Sequence, residues 1–188
     1  MNDNADRYRR ASQRFTQRAE EVPAGAWELP APCEGWVARD VVRHMVEWMP
    51  AFLLASGGPP LPIGPSVDDD PVGAWTTMSD GIQALLDDPT TAASEITHPM
   101  AGTHSLGDAI GMFFLGDVVI HTWDLARATG LDETLDADEV TRMLVGMEPI
   151  DDMRRASGHY GPKVAVPADA DEQTRLIAFT GRQPSRNP

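Results

Sequence analysis

Asp117 and His121 stand four residues apart in the segment Phe113-Phe114-Leu115-Gly116-Asp117-Val118-Val119-Ile120-His121-Thr122-Trp123-Asp124. On a helix, four residues make one turn plus about 40°, so an acid and an imidazole at this spacing project side by side, ~6 Å apart along the axis. Leu106, Ile110, Phe114, Asp117, His121 and Leu125 recur with helical spacing, which places the pair on an apolar stripe. A carboxylate turned into an apolar interior is costly unless it is paired or holds a cation. Upstream, Val37, Val41, His44, Trp48 and Ala51 form a second stripe with a histidine at its centre. Two histidines and an acid on two helices suffice for a divalent metal site of His44, Asp117 and His121. Three protein ligands would leave a coordination position open, which is the arrangement of catalytic rather than structural sites. Oxygen and imidazole donors without thiolate suit zinc first, with nickel, iron or manganese also compatible. The same residues admit a second reading, a hydrogen-bonded core network in which Asp117 accepts from His121 or from the indole of Trp48 or Trp123.

The elements that must position these groups are legible as helices joined by Pro- and Gly-rich loops. Tyr8, Ala11, Phe15, Ala19 and Val22 share one face of a helix over residues 4–21. A second helix runs from Val37 to Ala55, after a loop with three prolines. The stretch Gly57-Gly58-Pro59-Pro60-Leu61-Pro62-Ile63-Gly64-Pro65 cannot be helical. A third helix opens at Pro71 behind Asp68, Asp69 and Asp70, whose charge suits a helix N-terminus, and ends near Asp87-Asp88-Pro89. A fourth spans Ser105 to Thr129, with Ser105 as N-cap, Asp108 three residues on, and Gly130 as the C-cap glycine. A fifth opens at Asp136 with Glu139 three residues on and is interrupted at Pro149. In the tail, Val164-Ala165-Val166-Pro167 reads as a short strand and Glu172–Phe179 as a last helix stopped by Gly181. The expected architecture is all-α: a four-helix bundle over residues 1–157 with a small extension over 158–188.

Composition sets the outer bounds. The chain has 188 residues, 41% of them hydrophobic, and a formal net charge of −14 from 29 acids against 15 bases. Nucleic acid and anionic membranes demand a basic face, so neither is the expected partner. A small molecule or a divalent cation fits better. One cysteine, Cys33, excludes an internal disulfide and any CxxC motif; its only basic neighbour is Arg39, so nothing nearby marks it as a nucleophile. The opening Met-Asn-Asp-Asn-Ala-Asp-Arg-Tyr-Arg-Arg does not read as a signal peptide. No stretch reads as the ~18 consecutive apolar residues of a membrane span, and the expected location is cytoplasmic. Asp40, one turn before His44, has two readings: it orients the free ring nitrogen of His44, or it favours the helix N-terminus by its charge. His98 and His104 read as surface loop residues, with the mouth of a pocket as the alternative, and His159 lies in a turn; Arg175 and Arg182 read as partners of surface acids, with a bidentate hold on a substrate carboxylate as the alternative.

The segment Pro32-Cys33-Glu34-Gly35-Trp36-Val37-Ala38-Arg39-Asp40-Val41-Val42-Arg43-His44-Met45 resembles the P-C-x-G-W-x-x-R-D-[VL]-[VL]-x-H-[LMV] opening of the second helix in DinB-like metal-binding bundles. Within these it is most similar to the actinobacterial branch that includes mycothiol-dependent maleylpyruvate isomerase. The run from Asp117 to Ala126 resembles that branch's [ED]-x-x-x-H-x-W-D-L-A. The resemblance covers Tyr8 to about Pro184. It implies an up-down-down-up four-helix bundle, a metal triad of His44, Asp117 and His121, mycothiol as a thiol cofactor and a homodimeric state. The isomerase has glutamate at the place of Asp117 and a larger C-terminal domain, of which only the tail from about Gly158 has a counterpart here. What transfers is therefore the fold and the metal site, not maleylpyruvate as substrate. Three functions compete on these grounds: a metal- and thiol-dependent isomerase or transferase acting on a small electrophile, a non-catalytic metal-binding or stress-response protein, and a structural bundle whose triad is a core hydrogen-bond network.

Overall fold

The computed structural model describes residues 3–156 and 161–185. The chain forms two compact units, Met1–Glu133 and Thr134–Pro188. The end of the bundle read from sequence, after residue 157, lies outside the described residues, as does His159.

The first unit is built on α1 (Asp3–Glu21), α2 (Ala38–Ala55), α3 (Pro71–Asp87) and α4 (Leu106–Thr129). Their directions follow from who meets whom. Tyr8 hydrogen-bonds Ser79, Thr16 receives the Trp75 indole and Arg9 pairs with Asp87, so α1 and α3 run antiparallel. Asn4 donates to the Gly107 carbonyl, and Arg18 near the far end of α1 donates to Asp132 just beyond α4, so α1 and α4 run parallel. On α2 and α4, His44 meets Asp117 while Phe52 meets Phe113, an antiparallel pair. The four helices are therefore up, down, down and up, each packed on two neighbours. Tyr8, Phe15, Met45, Met49, Trp75, Ile82, Ile110 and Phe114 fill the space between them.

Local chemistry explains most boundaries. Asp70 accepts from the Gly73 amide at 2.8 Å and caps α3, with Pro71 in the first helical position. Ser105 accepts from Asp108 N–H and caps α4. Gly130 ends α4 at φ +76°, a left-handed conformation that costs glycine little. Asp40 accepts from the Val37 amide at 3.0 Å and from Arg43, so its N-terminal role is the one the structure shows.

Within the elements of the first unit the structure departs from the sequence reading at several points. The stripe carrying His44 is not the core face of α2: Ala38, Val41, Val42, Met45, Met49 and Leu53 are buried, while His44 and Trp48 are half-buried and Ala51 is exposed. The denser apolar face takes the core and turns the histidine to its margin. Second, an antiparallel hairpin of β1 (Glu95–His98) and β2 (Gly102–Ser105) precedes α4 and carries His98 and His104. Third, α4 is interrupted by a π-helical stretch, Ile110–Phe114, in which the Leu115 amide reaches back to the Ile110 carbonyl. Gly111 lies in it, and a Cβ there would fall 2.5 Å from the Asn4 side chain. Fourth, α4 is long and apolar enough by length and composition to cross a membrane, although most of its apolar length is buried within the protein.

In the second unit, α5 (Ala137–Met147), capped by Asp136, packs against α7 (Glu172–Phe179), capped by Asp171. Between them lie a 3-10 turn at Glu148–Ile150 and the short α6 (Asp151–Ala156). Val164–Pro167 is not a strand: Val164 donates one backbone bond to Ala178 and no second strand lies beside it among the described residues. Arg175 meets Glu148 at 3.3 Å, a surface ion pair.

Candidate metal centre

The antiparallel packing of α2 on α4 brings the three sequence-predicted ligands together. His44 Nε2 lies 3.1 Å from Asp117 Oδ2, and His121 Nε2 lies 3.6 Å from Asp117 Oδ1. One donor atom from each residue falls within 4.8 Å of the others. The site is asymmetric in its exposure to solvent: the side chains of His44 and Asp117 are 31% and 24% exposed, His121 only 5%. The expectation of two buried histidines is thus met by His121 alone.

Asp117 is the hub. The Trp48 indole donates to its Oδ2 at 2.8 Å, in addition to the His44 contact. Burial by itself would raise the Asp117 pKa. The electrostatic influence of the neighbouring His121 and the hydrogen bonds from His44 and Trp48 act against it, and the net result lies below the usual carboxylate value. Asp117 is therefore held ionised, as a ligand must be.

One partner escaped the sequence reading. Asp124, fully buried, has its Oδ2 2.8 Å from His121 Nδ1, at hydrogen-bond distance, and the Cys33 thiol, from the loop before α2, lies 3.7 Å from the same oxygen. The spacing His121-x-x-Asp124 was a usable signal, since residues three apart on a helix are neighbours. Trp123 is core, with the Arg127 guanidinium 4.4 Å above its ring.

Separations distinguish the two clusters that share His121. Donors ~2.1 Å from a tetrahedral zinc sit about 3.4 Å apart. The contacts at 3.1 and 3.6 Å in the His44–Asp117–His121 group bracket that value. The 2.8 Å between His121 and Asp124 is shorter and is the length of a hydrogen bond. The donor set and spacing of the first group fit a divalent cation; the group of Cys33, His121 and Asp124 is a hydrogen-bond chain.

Rings line the neighbourhood. Trp36 contacts both histidines, with centroids at 5.1 Å from His44 and 5.9 Å from His121. From Trp48 the contacts pass to Phe52 at 6.0 Å, and from Phe52 to His98 at 4.5 Å and Phe113 at 5.2 Å. His104 leans on Phe113 at 5.7 Å. Apart from the buried His121, these rings are half-buried. The two hairpin histidines therefore belong to this aromatic strip rather than to free loops.

Residues 8–126 match the model of a protein family described as the mycothiol maleylpyruvate isomerase N-terminal domain. The matched segment contains His44, Asp117, His121 and Asp124. Two uncharacterized proteins of Mycobacterium tuberculosis, from strains CDC 1551 and H37Rv, are each 26% identical over 193 residues, covering 93% of this chain and 95% of theirs. No solved structure matches the chain.

Proposed function

The chain belongs to the mycothiol maleylpyruvate isomerase N-terminal domain family, and from that premise we propose that it is a divalent-metal protein that uses a thiol, mycothiol first, to isomerise or conjugate a small electrophile. The observation that carries this reading is the convergence of His44 Nε2, Asp117 and His121 Nε2 at metal-ligand separations on a partly exposed margin of the bundle. The family is associated with mycothiol and with metal binding. Zinc is the first choice for an N, N, O donor set, with nickel or iron next.

A bound divalent cation would supply a Lewis acid that lowers the pKa of a coordinating thiol and keeps it as the nucleophilic thiolate. The chain's own residues do the rest. His44, Asp117 and His121 would hold the ion, and a set of three protein ligands would leave a position for the thiol. The Trp48 indole fixes the carboxylate of Asp117. Trp36, Trp48 and Phe52 offer a half-buried apolar surface on which a flat, unsaturated electrophile would lie while water is kept from one side. The family match covers an N-terminal domain only, so the isomerase's own substrate is not carried over.

The test is metal content of the tag-free full chain beside Asp117→Asn, followed by addition of mycothiol to the cobalt-substituted protein. About one metal per wild-type chain, lost in the variant, and a thiol-induced change in the cobalt visible spectrum are expected. A metal whose spectrum ignores thiol would leave a metal-binding protein without thiol chemistry. No metal in either protein after reconstitution would remove the site itself.

A further inference from the structure

We propose that Asp124 is a positioning residue, which keeps the proton of His121 on Nδ1 and thereby turns the Nε2 lone pair towards Asp117 and His44. The inference rests on the metal reading above only for what that lone pair meets; the tautomer is a property of the chain itself.

A neutral imidazole carries one proton, and its neighbours decide which nitrogen holds it. Both ring nitrogens of His121 face a carboxylate, but not equally. Nδ1 lies 2.8 Å from Asp124 Oδ2, a hydrogen bond, whereas Nε2 lies 3.6 Å from Asp117 Oδ1, beyond one. Asp117 is a quarter exposed and receives the Trp48 indole N–H and the His44 contact. Asp124 is fully buried, so its contact with the imidazole is shielded from water. The imidazole N–H at 2.8 Å from Asp124 Oδ2 is a stronger donor than the Cys33 thiol at 3.7 Å. The proton on Nδ1 therefore makes the shorter of the two carboxylate contacts of His121.

The arrangement is rigid. His121 and Asp124 lie one turn apart on the same helix, both buried, and the Trp36 ring stacks on His121 with an interplanar angle of 20°. His44 differs. Its contact with Asp117 uses Nε2, the nitrogen it would need for a metal, and it is a third exposed. His121 is set in advance, while His44 must release a hydrogen bond to ligate. Carboxylate-bound histidines of this kind are oriented and made more basic as ligands, and loss of the carboxylate typically weakens metal binding 10- to 100-fold.

The experiment uses the metal-free, nitrogen-15-labelled full chain and long-range proton–nitrogen spectra at neutral pH. In the wild type, His121 is expected with its proton on Nδ1 and a bare Nε2, and His44 with its proton on Nε2. In Asp124→Leu the Nδ1 proton of His121 should lose its preference, and the affinity for zinc alone should fall by roughly 10- to 100-fold. Asp124→Glu should recover most of that loss, which a purely structural role would not require. A proton on Nε2 of wild-type His121 overturns the proposal, as does wild-type zinc affinity in a folded Asp124→Leu protein. If that variant does not fold, the wild-type tautomer decides alone. A wild type that takes up no zinc yet carries the Nδ1 proton overturns the metal reading and supports this one.

Discussion

Consider the replacement of Asp117 by Asn, read through thermal unfolding with and without zinc. In the metal-free protein the carboxylate accepts from Trp48 at 2.8 Å and meets His44 at 3.1 Å. Hydrogen bonds to a charged acceptor contribute about 1.5–3 kcal/mol and neutral ones about 0.5–1.5 kcal/mol, so each bond weakens by ~1 kcal/mol. Relief from burying a charge and the quarter exposure of the side chain offset part of that, leaving a net loss of about 1 kcal/mol. For a chain of this size, 1 kcal/mol moves the melting temperature by ~2–4 °C. Zinc adds a separate effect. A ligand that binds only the folded state at ~100 times its Kd stabilises by about 2.7 kcal/mol, or ~5–10 °C. All five tryptophans, Trp27 to Trp123, lie in the unit Met1–Glu133, so their fluorescence follows the part that carries the site. Chelator-stripped wild-type protein should therefore gain ~5–10 °C on zinc addition, and Asp117→Asn should start ~2–4 °C lower and gain nothing. A wild-type melting temperature that ignores zinc across the micromolar range would refute the metal reasoning and leave the triad as a hydrogen-bond network. An equal zinc gain in the variant would place the ion elsewhere.

Trp48→Phe keeps the ring but removes the indole bond to Asp117, and zinc affinity measured by competition with a chelator should drop about tenfold, the equivalent of ~1.4 kcal/mol for one bond to a charged group. Phe15, fully buried with its ring 4.3 Å from that of Trp75, is a core anchor; Phe15→Ala should cost ~3–5 kcal/mol in urea unfolding while the metal content of the surviving folded protein stays unchanged. The Tyr8 hydroxyl is pushed well above its ordinary value of 10.0 by burial, against the bond to Ser79. Its folded pKa thus exceeds its unfolded one, so the stability that it contributes is complete below pH ~10 and is lost as pH climbs from there towards the folded value, by up to ~1.4 kcal/mol per pH unit. Urea midpoints of wild type and Tyr8→Phe between pH 9 and 11 should show the wild type losing stability more steeply; parallel curves would contradict the assignment.

Much of the scaffold was written locally. The 3.6-residue recurrence of Tyr8, Phe15 and Ala19, the Asp70-Pro71 start of α3, Ser105 before α4 and Gly130 after it are signals that act within a few residues, and each is where the chain puts its helix or its end. The candidate triad was legible for the same reason, since Asp117 and His121 share a helix face at four-residue spacing. What neighbouring residues could not reveal is which face of α2 the core would claim. Its buried side runs through Val41, Val42, Met45 and Met49, so His44 stands at the margin and the site is open rather than sealed. Nor could they show that Val164–Pro167, read as a strand, has no partner strand among the described residues, or that the short and mostly exposed Glu95–His98 does. A strand is completed by a partner, and no property of its own four residues supplies one. The Asp124 bond to His121 sits between these cases: the spacing allowed it, but a carboxylate three residues on from a histidine can equally face solvent. Burial decides that, and burial belongs to the packed bundle. Periodicity and caps are short-range and survive in the bare sequence, whereas the exposure of His44, the pairing of β1 with β2 and the partner of His121 depend on surfaces brought together only when the helices close.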